Sequence, residues 1–470
     1  MISHILNGKG AVRNIFNALL LLGAFIFNVP VLQAAENPNI KGEIQQLRAQ
    51  MEKIMQRIEQ LEAQQPGISS LESTSTRDEA KVGSSVLAAT PKSPEVAIMD
   101  DVSATAKPQG RGFLELNHND SVLSFGGRIS ADAVYDWPDG SFSPKTAPLD
   151  SSGENGQLKY DLRNSRLWFK TRTPSEWGMV RTLIEADFWG SSGNETNNNS
   201  HNLRLRHAYL EVGGLKIGQT WTTFLPYATA DTMMDPANIN WIRQPQIRWT
   251  IESNDFTYAL ALENPETILT DTLGSDLAPD DDQLPDFVAS VSRTDDWGGA
   301  SASVLLRQIR QDKATPSGGS EFNKSDEAFA WGLGASARIK TVGDDDIRFG
   351  FQYGDGIGRY VAGQAYGAGS IDDQGNIDLQ TAWGTYAAYR HWWSPKWRST
   401  FAFALAGTDN NINVVPNSVN KDAMSYQMNL FWTPFENSLF GLEYGHLERE
   451  LESGQTGEID TLYMRALYDF

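Results

Sequence analysis

The chain has no cysteine, which excludes disulfide staples, Cys-based zinc sites and cysteine nucleophiles. Bases are scarce: 39 Lys and Arg stand against 59 Asp and Glu, a formal net charge of −20. A surface that acidic does not grip nucleic acid as a whole. After residue 35 no stretch approaches the ~18 consecutive apolar residues that a spanning helix needs. A polytopic helical membrane protein is therefore excluded. A membrane β-barrel is not, because its strands alternate apolar and polar residues and look soluble on average. Proline is sparse at 20, whereas 41 Gly, 14 Trp, 14 Tyr and 21 Phe are plentiful, and this balance suits a barrel.

What is present begins with an address. Lys9 and Arg13 precede an apolar stretch over 15–32, and small residues at 34–35 lead into polar sequence. This pattern predicts a signal peptide over 1–35, with an uncleaved anchor as the alternative. Ile40, Ile44, Leu47, Met51, Ile54, Ile58 and Leu61 then recur at spacings of four and three. They form an a/d seam and predict a short α-helical coiled coil over 36–65. Ile at both kinds of position favours three strands, which makes Ile44 to Leu61 a trimerisation seam. One amphipathic helix packed on its own barrel is the alternative. Residues 66–112, rich in Ser, Thr, Ala and Pro, show neither period and read as a flexible linker.

From residue 113 to 470 the period becomes two. Phe329, Trp331, Leu333, Ala335, Ala337 and Ile339 alternate with Gly, Ser, Arg and Lys, and Ile347 to Tyr353 and Met424 to Trp432 behave alike. One face is apolar and the other carries arginines at strand centres. Charges that far from a strand end need water, so the polar face lines an aqueous lumen. Short connections fall near 173–178, 213–214, 253–255, 295–298, 341–346, 394–396 and 434–437. Longer ones fall near 138–158, 190–202, 225–245, 264–285, 311–326, 359–378, 407–420 and 451–457. Strict alternation of short and long predicts an all-β fold, a 16-stranded antiparallel transmembrane β-barrel. Its short turns belong in the periplasm of a Gram-negative cell, along with the coiled coil. Trp177, Trp297, Trp393, Trp397 and Trp432 lie at or beside short turns, where an aromatic girdle belongs. The chain ends with Tyr468 and Phe470 on one face. That ending resembles the signal read by the outer-membrane barrel assembly machinery.

Alternation places the lumen arginines, and strand direction gives their height. Arg172, Arg181, Arg338, Arg348, Arg390 and Arg398 fall in the periplasmic half, whereas Arg128, Arg166, Arg248, Arg307 and Arg465 fall nearer mid-height. The latter five are the candidate pore wall. Simple pairing with Glu185, Asp187, Glu252 and Glu443 is the alternative. The connection 224–246 carries Met, Ile and Trp that an exposed loop would avoid. It reads as a constriction loop folded into the lumen, with Asp231, Asp235 and Arg243 as its charged members. An acidic loop against a basic wall would set up a transverse field for dipolar or anionic solutes. Packing of that loop in a subunit interface is the other reading. Ten acids and no base lie between Arg248 and Arg293, among them Asp280, Asp281 and Asp282. They form a solvated face or bridge lipopolysaccharide through divalent cations.

Signal, coiled coil, linker and sixteen-stranded barrel ending in Phe together resemble the DcaP-like trimeric porins. The segment GQTWTTF (218–224) is similar to that family's sequence at the same place. The resemblance implies a homotrimer that passes small organic anions, dicarboxylates among them. It supplies no binding residue beyond the inward loop. The PEFGG-type loop signature of general enteric porins is absent.

Other functions fit less well. A barrel enzyme needs a Ser–His or acid–His constellation at one rim, and His207, His391 and His446 lie in no nucleophile motif. A structural tether or adhesin with a plugged lumen stays open as an alternative, as does a general or cation-preferring pore. Peptidoglycan is a further candidate partner for the coiled coil. No cofactor, metal site or nucleic-acid partner is indicated. GDGIG at 354–358 has no helix after it, and DDQGNID at 372–378 lacks EF-hand spacing.

Overall fold

The computed structural model describes residues 114–118, 121–149, 155–190, 199–226, 228–239, 241–317 and 319–470. The signal, coiled-coil and linker assignments lie outside them. Among the described residues no helix is long and apolar enough to cross a membrane. The architecture is instead a sheet that closes on itself.

Sixteen strands build it. They are β1 (Ser121–Trp137), β2 (Gln157–Asp161 resuming as Arg166–Ser175), β3 (Gly178–Asp187), β4 (Arg204–Val212), β5 (Leu215–Trp221) and β6 (Arg243–Ser253). Next come β7 (Phe256–Glu263), β8 (Asp286–Asp295), β9 (Gly298–Asp312), β10 (Ser325–Lys340) and β11 (Asp346–Asp355). The last are β12 (Thr381–Ser394), β13 (Trp397–Thr408), β14 (Asn420–Trp432), β15 (Ser438–Leu451) and β16 (Thr456–Asp469). Each pairs antiparallel with its sequence neighbour, and β16 returns to β1 in the register Arg128↔Asp469 to Trp137↔Asp460. That pairing removes both sheet edges. A short strand, Leu114–His118, pairs with Ser121–Phe125 beside the lower end of β16.

All seven short turns lie where the alternation places them. One of the two-residue turns, Gly213–Gly214, has both residues at positive φ (56° and 86°), the type I′ geometry that matches strand twist and that glycine adopts without strain. One long connection differs from expectation. Residues 452–455 form a four-residue turn, because β15 and β16 both continue upward into what the sequence suggests is loop.

Period two also sorts the faces. Phe169, Ile184, Ile247, Trp249, Phe329, Leu333, Phe349 and Phe401 point outward and are exposed, whereas every arginine assigned to the lumen sits at an inward position. An exposed apolar band this continuous belongs against hydrocarbon. Trp177 and Trp393 stand exposed at the short-turn rim, and Trp397 stacks on Trp432 at 5.5 Å. Phe470 zips the closure to its last residue: its N–H donates to the Gly127 carbonyl at 2.9 Å and its carbonyl accepts from Gly127 at 3.1 Å. Tyr468 faces outward beside it.

The connections 138–156, 222–242 and 356–380 turn into the barrel, where their apolar residues form a core with inward strand positions. Phe224, Ile242, Tyr360, Val361 and Tyr366 pack with Val288, Leu305 and Ala382. Phe142 and Ala147 join Ile239, Tyr386, Leu447 and Ile459. One further connection, 264–285, joins 356–380 in a four-stranded sheet of Leu269–Thr270, Asp276–Leu277, Gly369–Ile371 and Ile377–Leu379.

Candidate functional site

The inward loop decides which wall of the lumen can meet solute. Thr222 and Thr223 bind Glu263 of β7, and Phe224 lies on Gly332 and Gly334 of β10. Arg348 of β11 donates to the Thr229 carbonyl at 2.8 Å. Glu443 of β15 accepts from the backbone N–H groups of Met233 and Met234, both at 2.7 Å, and Ser425 of β14 accepts from Ala237. The loop thus lies along β10 to β15; towards the other side it meets Ile459 of β16, Gln246 of β6 and Trp221 of β5, and it leaves the rest of the inner faces of β1 to β6 uncovered.

Asp231 is the deepest of these anchors. Its carboxylate takes the Arg398 guanidinium at 2.7 Å and that of Arg390 at 3.4 Å, with all three side chains buried. Burial alone would raise the Asp231 pKa, but Arg398, Arg390 and Arg348 outweigh it and hold the carboxyl at about 2. Asp346 gathers Arg348, Arg390 and Arg338 at 2.7, 2.6 and 3.1 Å. Arg338, Arg348, Arg390 and Arg398 therefore pair with the acids that seat the loop. Asp231 points away from the open side of the barrel.

Arg307 is enclosed as well. Its Nε meets Asp286 at 3.0 Å, and its two terminal nitrogens donate to the carbonyls of Gly356 (3.0 Å) and Glu266 (2.7 Å). With no solvent exposure at that side chain, it serves the scaffold, not a wetted pore wall. Arg128 pairs with Asp469 at 2.7 Å and Arg465 with Asp132 at 2.8 Å. These two do stand on adjoining strands, but each is neutralised by its partner. Glu443 bonds to the loop backbone and to Asn429 in place of an arginine, and Glu252 is exposed.

The uncovered wall is basic. On β2 the inward positions include Arg166, Lys170 and Arg172, and on β3 Arg181 stands over Glu211. On β4 Arg204 and Arg206 share Asp187 at 2.7 and 2.8 Å, and Arg206 also takes Glu185 at 2.7 Å. Lys216 of β5 and Arg248 of β6 complete eight cations at inward strand positions from Arg166 to Glu252, against the four acids Glu185, Asp187, Glu211 and Glu252. Arg166, expected in the pore wall, pairs with Glu185 at 3.4 Å. Arg248 makes no short ion pair among the described residues and has an Nε without a hydrogen-bond partner.

Arg243 adds a ninth cation. It is the first residue of β6 and not a loop residue. Its guanidinium lies 4.3 Å over the Trp221 ring, within electrostatic reach of Arg206, Arg204 and Arg166. Trp221 meets Trp241 edge-on at 5.5 Å, and the Trp241 indole N–H donates to Asp235 at 2.8 Å. Asp235 is exposed and within electrostatic reach of Arg465 and Arg243. The loop therefore does present one acid, Asp235, towards cations of the open side.

Arg204, Arg206, Lys170 and Lys216 escape the sequence reading. A bulge between Glu185 and Ala186 shifts the β3–β4 register, so that Arg206 and His207 no longer obey simple alternation. Lys170 and Lys216 do obey it and were legible beside Phe169 and Ile217. Among the described residues no group of three or more His, Asp or Glu is arranged to hold a metal ion.

Comparisons with known proteins agree with the barrel fold. A family model described as the porin subfamily matches residues 120–461. The outer membrane channel DcaP of Acinetobacter baumannii superposes with a TM-score of 0.63 at 23% identity, over 75% of this chain and 99% of that one. OmpT of Vibrio cholerae, an outer membrane protein, superposes with a TM-score of 0.50 at 10% identity, over 76% of this chain and all of that one. A search of curated proteins gave no match. The chain belongs to the porin subfamily, and its barrel has the fold of the DcaP outer-membrane channel.

Proposed function

We propose that this porin is a non-enzymatic diffusion channel that favours small organic anions, dicarboxylates among them, and works as a homotrimer. The carrying observation is the uncovered wall from Arg166 to Glu252, with eight inward cations and four acids, and with Arg243 beside it. A lumen edged in this way concentrates anions and repels cations before any contact is made. Guanidinium groups in excess of their carboxylate partners offer paired N–H donors to a passing carboxylate.

The trimer rests on two supports. The heptad seam from Ile44 to Leu61 favours three strands. In addition, β5 and β7 are only 7 and 8 residues long, whereas β9 and β10 run to 15 and 16. A spanning strand needs about 9–11 residues, so a lowered wall fits against another subunit better than against a full bilayer. Because β1 starts at the same rim as the short turns, the preceding coiled coil and linker belong in the periplasm, within reach of peptidoglycan. Removal of a signal over 1–35 fits the same export route. Outer-membrane lipid and lipopolysaccharide then surround the apolar band.

The decisive experiment is a planar-bilayer recording of the purified protein across a KCl gradient. Three-step conductance with an anion-selective reversal potential is the expected result. A cation-selective sign would move the filter to the acidic loops. Absence of any current would favour a tether whose inward loops close the lumen.

A further inference from the structure

One loop narrows the lumen in the sequence reading, but a second one is built into the same place. Loop 356–380 begins with Ile357, Tyr360 and Val361, all buried, in two single-turn 3-10 helices, Gly358–Tyr360 and Ala362–Gln364. Val361 forms an antiparallel bridge to Ile239 of loop 222–242. The N–H groups of Ala362 and Gly363 donate to the carbonyls of Asn238 and Ile239, each at 3.2 Å. Those carbonyls are thereby satisfied within the interior, where an unpaired one would be costly.

The second loop is itself fastened. The Tyr360 hydroxyl donates to Asp286 at 2.8 Å, and its ring meets Phe224 edge-on at 5.5 Å. Asp286 is the partner of Arg307, whose guanidinium also holds the Gly356 carbonyl. A chain of contacts thus runs from the wall at Arg307 through Tyr360 and Val361 to Ile239. Trp241 and Asp235, which face the open side, lie within four residues of Ile239.

We propose that loop 356–380 is the second, positioning half of the constriction. Through Tyr360 and the Val361–Ile239 bridge it holds Trp241 and Asp235 at the distance from the basic wall that sets the width of the passage. Tyr360 and Arg307 are positioning residues: they touch no solute and act through the 222–242 loop. The inference rests on the reading that the lumen conducts.

The test uses the full chain in planar bilayers. Tyr360→Ala removes the ring contact together with the hydroxyl's bonds to Asp286 and Gln244, and Tyr360→Phe removes those hydroxyl bonds alone. The expected result is a higher single-channel conductance and a reversal potential shifted towards zero, larger for Tyr360→Ala. Because the chain has no cysteine, an Ile239→Cys, Val361→Cys pair can be added to each variant. Antiparallel partners lie within disulfide reach. Oxidation should return conductance and reversal potential to the parent values, and reduction should undo the return. A merely structural defect would not respond to that cross-link.

Variants that insert normally and keep the parent conductance and reversal potential overturn the proposal. So does a shift that the cross-link fails to reverse. If Tyr360→Ala does not insert, Tyr360→Phe decides alone by the same criteria. A parent protein that carries no current refutes the channel reading itself, an outcome distinct from these.

Discussion

Arg243 offers the sharpest test of the basic wall. Its guanidinium stacks on Trp221, stands near Arg206, Arg204 and Arg166, and makes no ion pair with an acid among the described residues. Arg243→Ala therefore removes one positive charge without baring a buried carboxylate. Two unit charges 4 Å apart in water interact by about 1 kcal/mol, or roughly fivefold in local concentration at room temperature. Anions lose that factor and cations gain it, so the anion-to-cation permeability ratio should fall by up to about 25-fold in 0.1 M KCl, where the screening length is about 10 Å. In 1 M KCl screening shortens to about 3 Å, and most of the difference should vanish. Arg243→Lys keeps the charge but loses the flat stack, so its ratio should stay near that of the parent protein. Reversal potentials across a KCl gradient read all three. An unchanged ratio for Arg243→Ala at 0.1 M, or an equal fall for Arg243→Lys, would refute the electrostatic argument.

Three further outcomes follow from the same geometry. Asp231→Asn strands the buried Arg398 and leaves Arg390 with Asp346 alone, and loss of one partner from a buried pair costs about 3–5 kcal/mol, read as a lower thermal midpoint and noisier open-channel current. Asp231 is held at about 2, below the ordinary aspartate value of 3.8, so its contribution is complete above pH 4 and is lost as pH falls through about 2; open-channel noise should rise only in that acid window, and a rise already complete at pH 5 would contradict the assignment. Asp235→Asn neutralises the exposed acid that faces Arg465 and Arg243, and should make the channel more anion-selective with an unchanged thermal midpoint. Deletion of 40–64 removes the heptad seam and should weaken the trimer without abolishing it, as judged by native mass and chemical cross-linking; outright monomers would mean that the barrel contacts are poorer than the low wall suggests.

Strands, turns and facing were legible because each depends on neighbours in sequence. Phe329 to Ile339 must alternate if one face meets lipid, and a pair such as Gly213–Gly214 can only be a turn. Whether an inward arginine meets water was not legible. Arg307 and Arg166 both obey the alternation, yet one is sealed by Asp286, Gly356 and Glu266 while the other borders the open side. That difference is set by where distant loops come to rest. Asp231 failed for the same reason: nothing local tells an acid that faces the passage from one that anchors the loop behind it. The second inward loop did carry a signal. Ile357, Tyr360, Val361, Tyr366 and Ile371 are as apolar as the residues that exposed loop 224–246 as inward.

The lumen wall is divided chemically, and the division explains how one barrel can hold packed loops and a wetted passage together. Where loops lie, several inward strand positions are glycine. A Cβ at Gly441 would come within 2.7 Å of the Met233 sulfur, one at Gly445 within 2.6 Å of the Met234 methyl, and one at Gly332 within 2.8 Å of Ile357. These glycines leave the space that the loop side chains fill, and overfilling such contacts costs about 1–3 kcal/mol. The arginines on that side come as bases matched to Asp231 and Asp346, so loop seating leaves few charges without partners. Across the lumen, β2 to β6 present long side chains such as Arg166, Lys170, Arg204 and Arg248, with too few acids to match. Long, mutually repelling cations cannot seat a loop, but they can stand in water. Glycine with matched charge on one side, and an excess of cations over acids on the other, thus direct the loops to β10 to β15 and leave the basic wall facing the lumen.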